Sequence, residues 1–507
     1  MHLHTLDLIV VALYFLGMTA IGFYFSRQQA DQASYFLGDR RVHWFLAGIS
    51  IIATLLSTVS YLAVPGEMIR YGIGFASSLL GFIIILPIMG FVIIPFLMKL
   101  KVTSIYEYIE TRFGFGTRMM AAASFVLSRI IWMGLICYTA AFAITAMTGW
   151  SIPTLVILMA GITMLYTTMG GIKAVIWTDL FQFLILLAGA VITPVYVAFA
   201  TRTGPAIWWE TFSAAGRTVV PLYSLDPTVR LTIVGMIVSK IIWDICTHGA
   251  DQVAAQRYLS TSSAGMARRS MLVSASGNIV MVLLLLTVGL SLFYFFFRQS
   301  GLPVQQFQQQ IASEADKVFP RFIASNLPSG FSGLILAALL AAVMSSLSSG
   351  MNSISSVVVT DFIERLQLLG RYKGSLYLAR GITVLSGLLG ILVALSVNSF
   401  MRTGKWNLIE LMERGNHLFV APLGALFFVG FIFSRADGRA ATGGFLAGVA
   451  TSVSISFSKE IYGLEHAIGF VWNLPCAFAA SFIATYMLSL LFRRQAAPAV
   501  LTGVNSV

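Results

Sequence analysis

The chain has 507 residues, of which 58% are apolar and only 10% charged, with 32 Lys and Arg against 20 Asp and Glu. Apolar runs recur from one end to the other, which excludes a soluble globular domain and defines an all-α, polytopic membrane protein. The formal charge of +12 does not point to nucleic acid, because Lys and Arg stand mostly in connections between apolar runs, where they set orientation in a bilayer.

Windows of about 20 residues pick out about thirteen helical spans. They lie near 7–25, 43–69, 73–99, 118–148, 151–169, 172–201, 229–250, 270–298, 330–360, 375–398, 407–433, 438–456 and 466–492. Several are longer than a bilayer is thick, which predicts tilts or kinks. Ahead of the first span, "MHLHTLD" lacks a cationic start and the run behind it is long enough to stay, so no cleavable signal peptide is expected. The second span carries Gly48, then Ser57, Thr58 and Ser60, then Pro65 and Gly66. Proline removes a backbone donor and displaces the carbonyl four residues earlier, so this helix is a candidate for interruption. Five spans later, "SKIIWDICTHGADQ" gathers Lys240, Asp244, Thr247, His248 and Gly249 in one tract. Interrupted helices at matching places in two halves are the signature of inverted-repeat transporters.

With the N-terminus outside, the alternate connections holding Arg40, Arg41, Lys99, Lys101, Arg268, Arg269, Arg371, Lys373, Arg493 and Arg494 face the cytoplasm. Basic residues there outnumber those on the other side by roughly two to one, which predicts an N-out, C-in chain in a plasma membrane such as the bacterial inner membrane. Arg129, Lys240 and Arg414 remain at membrane depth. Cys137, Cys246 and Cys476 all fall in spans without paired spacing, so they read as packing residues rather than disulfides or zinc ligands. In "GGFLAG", Gly444 and Gly448 stand four apart, a spacing for close helix approach. The connections 202–228 and 299–329 are too short for a catalytic domain. The chain has no H-E-x-x-H, G-x-S-x-G, G-x-x-x-x-G-K-[ST] or G-x-G-x-x-G, so neither an enzyme nor a nucleotide-driven pump is indicated.

The ninth span holds the densest polar tract, "AALLAAVMSSLSSGMNSISSVVVTD". Spacings of three and four place Ser345, Ser348, Ser349, Asn352, Ser353 and Ser356 on one helical stripe. Small hydroxyls can serve close packing alone. So many of them in a water-poor site, each needing a partner, point instead to a small hard cation, which oxygen ligands suit. Sodium fits. Asp179, about 10 Å inside the sixth span at 1.5 Å per residue, supplies negative charge; its bland reading is a salt bridge to Lys173 or a loop arginine. Arg129 is deep enough to receive a solute carboxylate through its fork, or to pair within the bundle. Lys240 and Asp244, four apart, read as an internal ion pair. Glu410, Glu413 and Arg414 open the eleventh span as a solvated cluster or a gating pair.

Five segments, "YFLGDRRVHWFLAGIS", "SIYEYIETRFG", "GGIKAVIWTDLFQ", "DQVAAQRYLS" and "AAVMSSLSSGMNSISSVVVTD", resemble in order and spacing the recurring segments of the sodium:solute symporters. The resemblance implies an inverted repeat of five plus five helices with two broken members. Its boundaries would be a peripheral first span at 1–42, repeats at 43–201 and 229–433, an extracellular loop at 202–228, and two peripheral spans within 434–507. It also implies one Na+ site from the carbonyls of Ala53, Leu56 and Ala342 with the hydroxyls of Ser345 and Ser346. A second Na+ would use Asp179, Ser345, Ser348 and Ser349. Solute would lie beside Ser57, Thr58, Ser60, Arg129, Trp243, Asp244 and Thr247, and would be a small carboxylate, a sialic acid or a sugar. The expected activity is Na+-coupled symport by alternating access. A cation channel and a transporter-like sensor are the competing readings, and saturable Na+-dependent uptake separates the channel from the carrier.

Overall fold

The computed structural model describes residues 4–29, 31–224, 226, 229, 231–368, 374–401, 408–433, 435–463 and 468–492, with 408–417 and 470 described as backbone only. Glu410, Glu413 and Arg414, as side chains, lie outside the described residues. Every regular element described is a helix.

The chain begins with α1 (Thr5–Ser26) and a short α2 (Gln32–Leu37), then enters a helix in two pieces, α3 (Trp44–Leu55) and α4 (Thr58–Tyr71). Next come α5 (Ser78–Ile88) and α6 (Ile94–Leu100), joined by a π turn, a short connecting helix α7 (Tyr106–Phe113), α8 (Phe115–Thr148) and α9 (Ile152–Thr201). Beyond α10 (Pro205–Ala214) a second interrupted helix follows, α11 (Ile233–Gly249) and α12 (Gln252–Leu259), bent by 54°. Then come α13 (Ala264–Ser300), the short α14 (Val304–Ser313) and α15 (Ala315–Ser325), α16 (Phe331–Val357), α17 (Leu376–Met401), α18 (Leu408–Ile432), α19 (Gly438–Ser456), α20 (Ser458–Tyr462) and α21 (Asn473–Leu491).

Eight helical runs among the described residues are long and apolar enough to cross a bilayer, or nine with the bent α11/α12 pair. One of these runs, α9, has 50 residues and would be about 75 Å long if straight, far beyond a hydrocarbon core of about 30 Å. It folds back at Gly171, where φ is +54°. Tyr166 and Gln182, which a straight helix would separate by about 24 Å, meet with Gln182 Nε2 3.5 Å from the Tyr166 hydroxyl. Gly171 is the residue that permits this turn, because a Cβ there would stand 2.8 Å from the Tyr35 carbonyl oxygen and the left-handed φ disfavours any other side chain. The two arms of α9 therefore match the fifth and sixth expected spans.

Helix α16 forms the axis of the bundle. It packs on α1, α3, α8, α9, α12 and α17, and every residue from Ile335 to Val357 is buried. The polar stripe is thus not a lipid-facing or solvent-facing surface, and each hydroxyl must find a protein partner. At the periphery, α19 and α21 cross closely. A Cβ on Gly444 would stand 2.6 Å from the Ser481 carbonyl oxygen, and one on Gly448 2.9 Å from that of Ala477, which is the packing role their spacing predicts. Cys137 and Cys246 are buried, Cys476 is half-buried, and all three are free thiols.

Candidate functional site

Leu55 ends α3, and Leu56 and Ser57 are extended, with ψ of 92° and 164°. The polar run, rather than Pro65, sets this break: Ser57 caps α4, its hydroxyl accepting the Ser60 amide at 3.3 Å, while Pro65 sits inside α4. Residues in the last turn of α3 lose the i+4 amides that would have satisfied their carbonyls. Helix α16 fills the vacancy. Ser345 Oγ donates to the Ala53 carbonyl at 2.9 Å and lies 3.2 Å from that of Ala342. Ser346 Oγ donates to the Thr54 carbonyl at 2.8 Å and also lies 3.2 Å from Ala342 O. Both serines, Ala53 and Ala342 are wholly buried, and Thr54 is 1% exposed.

Five oxygens, three carbonyls and two hydroxyls, therefore converge with two hydroxyl hydrogens between them. Such a cluster is rich in lone pairs and poor in donors, and a small hard cation is the species that satisfies it best. The structure brings together four of the five groups expected for the first Na+ site, Ala53, Ala342, Ser345 and Ser346. The Leu56 carbonyl, at the break, accepts no hydrogen bond from an α16 side chain among the described residues, and the Thr54 carbonyl stands in the cluster beside Ala53.

Around Asp179 the arrangement differs from expectation. Its Oδ2 accepts a 2.5 Å hydrogen bond from Ser50 Oγ and lies 4.0 Å from an Arg257 nitrogen, while Oδ1 has no partner among the described residues. Lys173 is not its counter-ion, since that ammonium pairs with Asp39 at 2.7 Å. Arg257 Nε also donates to Ser50 Oγ at 3.2 Å, and its terminal nitrogen donates to Ser349 Oγ, which in turn meets Thr54 Oγ1 at 2.7 Å. Ser348 donates to the Ser345 carbonyl at 3.0 Å. Asp179 thus reaches Ser349 through Ser50 and Arg257 and makes no direct bond to Ser345, Ser348 or Ser349. One turn along α9, Gln182 donates to Tyr14 at 3.0 Å and leaves its own Oε1 unpartnered. Two unpartnered oxygens therefore stand three residues apart on one face of this arm.

The same stripe of α16 holds the second broken helix. Gln252 donates to Ser356 at 3.4 Å, Gln256 to the Asn352 side-chain oxygen at 2.8 Å, and Arg257 to Ser349. The pairs run antiparallel along α12 and α16, so one polar stripe joins both interruptions. Ser353 bonds back to the Ser349 carbonyl at 2.8 Å, and Ser355 reaches the Ala379 carbonyl of α17 at 2.8 Å.

The residues expected near solute divide. Ser57 and Ser60 stand at the break with their hydroxyls 3.4 Å apart. Thr58 is buried and donates to the Leu339 carbonyl at 3.0 Å, so its hydroxyl is tied to α16. Arg129 is not a free receptor: it forms an ion pair with Asp251 at the α11/α12 bend and lies over the Phe125 and Trp132 rings, at 5.7 and 4.8 Å. Arg129 is 9% exposed, and a guanidinium so buried needs the carboxylate. Asp244 pairs with Lys240 at 2.6 Å, as the i, i+4 spacing predicts. Thr247 Oγ1 bonds to the Trp243 carbonyl at 2.8 Å. These residues stand on α11 before its bend, which falls at Gly249 to Asp251, at the end of the tract where the sequence places it. The helix resumes as α12 to Leu259, beyond the expected limit of the seventh span.

Ser50, Thr54, Gln182 and Arg257 were missed from the sequence. Ser50, Thr54 and Ser57 recur at four and three residues in an otherwise apolar helix, the same signal that marks α16. Arg257 was hidden because the chain after Asp251 reads as a polar loop.

Two interrupted helices closing on a central polar helix define a LeuT-like membrane transporter with an inverted-repeat core. The solved structure of a Na+-coupled sialic acid symporter in a substrate-bound, outward-open state superposes with a TM-score of 0.82 at 26% identity, covering 97% of this chain and 99% of that one. The transporter Mhp1 of the nucleobase-cation-symport-1 family shares the fold at a TM-score of 0.56 and 14% identity, over 92% of this chain and 98% of that one. The sodium:solute symporter family model matches residues 35–448, and the chain belongs to that family and is a Na+-coupled symporter. Among its relatives, the sodium/sialic acid symporter SiaT of Proteus mirabilis is 29% identical over 91% of this chain and 92% of its own. NanT of Aliivibrio fischeri, also a sodium/sialic acid symporter, is 28% identical over 90% of this chain and 89% of its own. A sodium-coupled monocarboxylate transporter of Mus musculus is 28% identical over 90% of this chain and 74% of its own.

Proposed function

We propose that this symporter moves a small organic anion with a carboxylate, of the sialic acid type, into the cell with two Na+ ions. The observation that carries the reading is the five-oxygen, two-hydrogen cluster where α16 meets the break in α3. Ala53, Thr54, Ala342, Ser345 and Ser346 hold the first ion. The second lies by Asp179 and Gln182, whose unpartnered oxygens stand on the arm of α9 that Ser50 and Arg257 link to Ser349 of α16. Ser348 and Ser349 complete its oxygens, and Arg257, which bonds Ser349 and lies 4.0 Å from Asp179, competes with the ion for both.

The solute carboxylate binds at the start of α4. The Ser57 side chain takes the Ser60 amide and the Ser57 carbonyl takes that of Tyr61, which leaves the first-turn amides of Thr58 and Val59 for an anion. Half-helix N-termini at mid-bilayer carry positive partial charge and receive substrate carboxylates in this class of fold. The Ser57 and Ser60 hydroxyls add donors at the same place. Trp243, Asp244 and Thr247 of α11 complete the solute site, and Arg129 acts through Asp251 at the second bend. The repeats span 43–201 and 229–433, with 1–42, 202–228 and 434–507 peripheral. The orientation is N-out and C-in in a plasma membrane, from the basic-residue bias of the connections.

In mechanism, Na+ between α3 and α16 holds α3 against the axis of the bundle and fixes the break that presents the α4 amides. Solute therefore binds more tightly when Na+ is bound, and by reciprocity raises Na+ affinity equally. Each charge falling through 100 mV yields about 2.3 kcal/mol, so two ions roughly double the driving energy. The test is uptake into proteoliposomes of purified protein with sialic acid, a monocarboxylate and glucose, each with a Na+ or a K+ gradient. Sialic acid uptake that needs Na+ and saturates is expected; uptake of glucose alone would refute the anion assignment.

A further inference from the structure

Apart from the residues of the ion sites, α13 begins with an arginine pair that the transport mechanism does not use. Arg268 lays its stem against Gly90, 3.5 Å from where a Cβ would be, and sets its guanidinium over the Phe91 ring at 5.0 Å. Arg269 is exposed on the neighbouring face. Among the described residues, neither has a carboxylate within ion-pair distance.

Two grooves open on either side of this turn. One, of about 410 Å³, runs between α3, the second arm of α9 and α13, with Trp44, Phe45, Ile49, Phe183 and Leu187 opposite Leu272 and Val280. The other, of about 680 Å³, runs between α5 and α13 past Leu86, Pro87 and Phe91. Arg269 and Leu272 border both. Phe91, Leu272 and Val280 are 69%, 55% and 46% exposed, on helices that cross the bilayer. The walls are apolar apart from Ser276 in one and Ser263 in the other, and among the described residues the charged groups lining either groove are these two arginines.

We propose that Arg268 and Arg269 form a binding site for one anionic phospholipid, whose phosphate lies over the guanidinium pair while its two acyl chains occupy the grooves flanking α13. Charge complementarity chooses the headgroup, since the cation of a zwitterionic lipid cancels its phosphate beside the +2 pair, whereas an anionic lipid brings net negative charge to it. Apolar walls on both sides choose a diacyl lipid over free phosphate, which would leave them uncovered. The basic pair stands in the first turns of α13, at the end that faces the cytoplasm in the orientation proposed above. The site itself requires only that α13 enter a bilayer here, so its failure and that of the transport reading are separable.

The experiment is a native mass spectrometry titration of the full chain with palmitoyl-oleoyl phosphatidylglycerol, the matching phosphatidylcholine, and glycerol phosphate as a headgroup without chains. One phosphatidylglycerol per chain is expected to survive detergent removal. A near-surface arginine contributes a factor of about five in affinity for an anionic lipid, so R268Q/R269Q should bind about 30-fold more weakly and R268K/R269K should keep most of the affinity. R435Q/R439Q, which removes the same charge from exposed arginines outside both grooves, should bind as the unmodified chain does. Equal binding by R268Q/R269Q, equal loss in both glutamine variants, or glycerol phosphate binding as tightly as the lipid would each overturn the proposal. So would an arginine-dependent dimer in place of a lipid adduct.

Discussion

Replacing Ser346 by Ala removes one oxygen from the proposed cation cluster and leaves the fold around it in place. In the structure its hydroxyl donates to Thr54 O at 2.8 Å and lies 3.2 Å from Ala342 O, with no exposure to solvent. Two effects follow. The buried Thr54 carbonyl loses its partner, which costs on the order of 1–3 kcal/mol of stability. A charged ligand contact is lost as well, worth about 1.5–3 kcal/mol and hence a factor of about 10 to 150 in Na+ affinity. Ser355→Ala is the matched control, because Ser355 is equally buried and donates to the Ala379 carbonyl at 2.8 Å, but faces α17 instead of the break. Both variants should unfold at similarly lowered temperatures, and only Ser346→Ala should shift the half-saturating Na+ concentration for uptake and for equilibrium 22Na+ binding. Unchanged Na+ affinity in Ser346→Ala, or an equal shift in Ser355→Ala, would refute the placement of the ion.

Further expectations concern the charged groups and the packing. Asp179→Asn should lower the Na+-to-solute ratio measured by reversal potential in proteoliposomes, and an unchanged ratio would remove the second ion. Arg257→Gln leaves the buried Asp179 without its cation and should destabilise by about 3–5 kcal/mol, with much of that recovered in the Asp179→Asn/Arg257→Gln double variant. Additive thermal losses would show that the two do not interact. Gly448→Val drives side-chain atoms toward the Ala477 carbonyl and should lower thermal stability by about 1–3 kcal/mol without altering Na+ affinity. Glu110, on the short connecting helix α7, is held below its ordinary value of 4.5 chiefly by its hydrogen bonds to Arg365, and by Arg118. A depressed carboxylate stabilises the fold above its unfolded-state value and loses that contribution as pH falls through the folded one. Unfolding midpoints should therefore drop below about pH 5 in the unmodified chain, and less steeply in Glu110→Gln.

Much of the site was legible because its chemistry is local to one helix. Hydroxyls at spacings of three and four on an apolar segment announce a buried polar stripe that includes Ser345, and the resemblance to the sodium:solute symporters adds Ser346 to the expected site. That this span is interrupted was legible too, but the proline argument misplaced the cause: the break falls at Leu56 and Ser57, where serine caps an N-terminus and competes with the helix for its amides, and Pro65 lies inside α4. Arg129 was not decided by sequence. Depth in the membrane says that it needs a partner, and Asp251, 122 positions away, is brought to it only when α11 bends. Arg257 was concealed for a related reason: a short polar helix after a break has the composition of a loop, and its burial comes wholly from the groups that surround it.

By itself the sequence determined that this chain lives in a bilayer, where its helices fall, which one is polar inside, and where two of them are interrupted. Those properties arise from hydrophobicity and spacing along a single segment. The tertiary structure alone decided which oxygens share a hydrogen: that Thr54 joins Ala53 against the serines of α16, that Arg257 stands beside Asp179, and that α12 lies antiparallel to α16. Periodicity fixes the face a helix presents, whereas the group that meets it is set by packing across hundreds of residues.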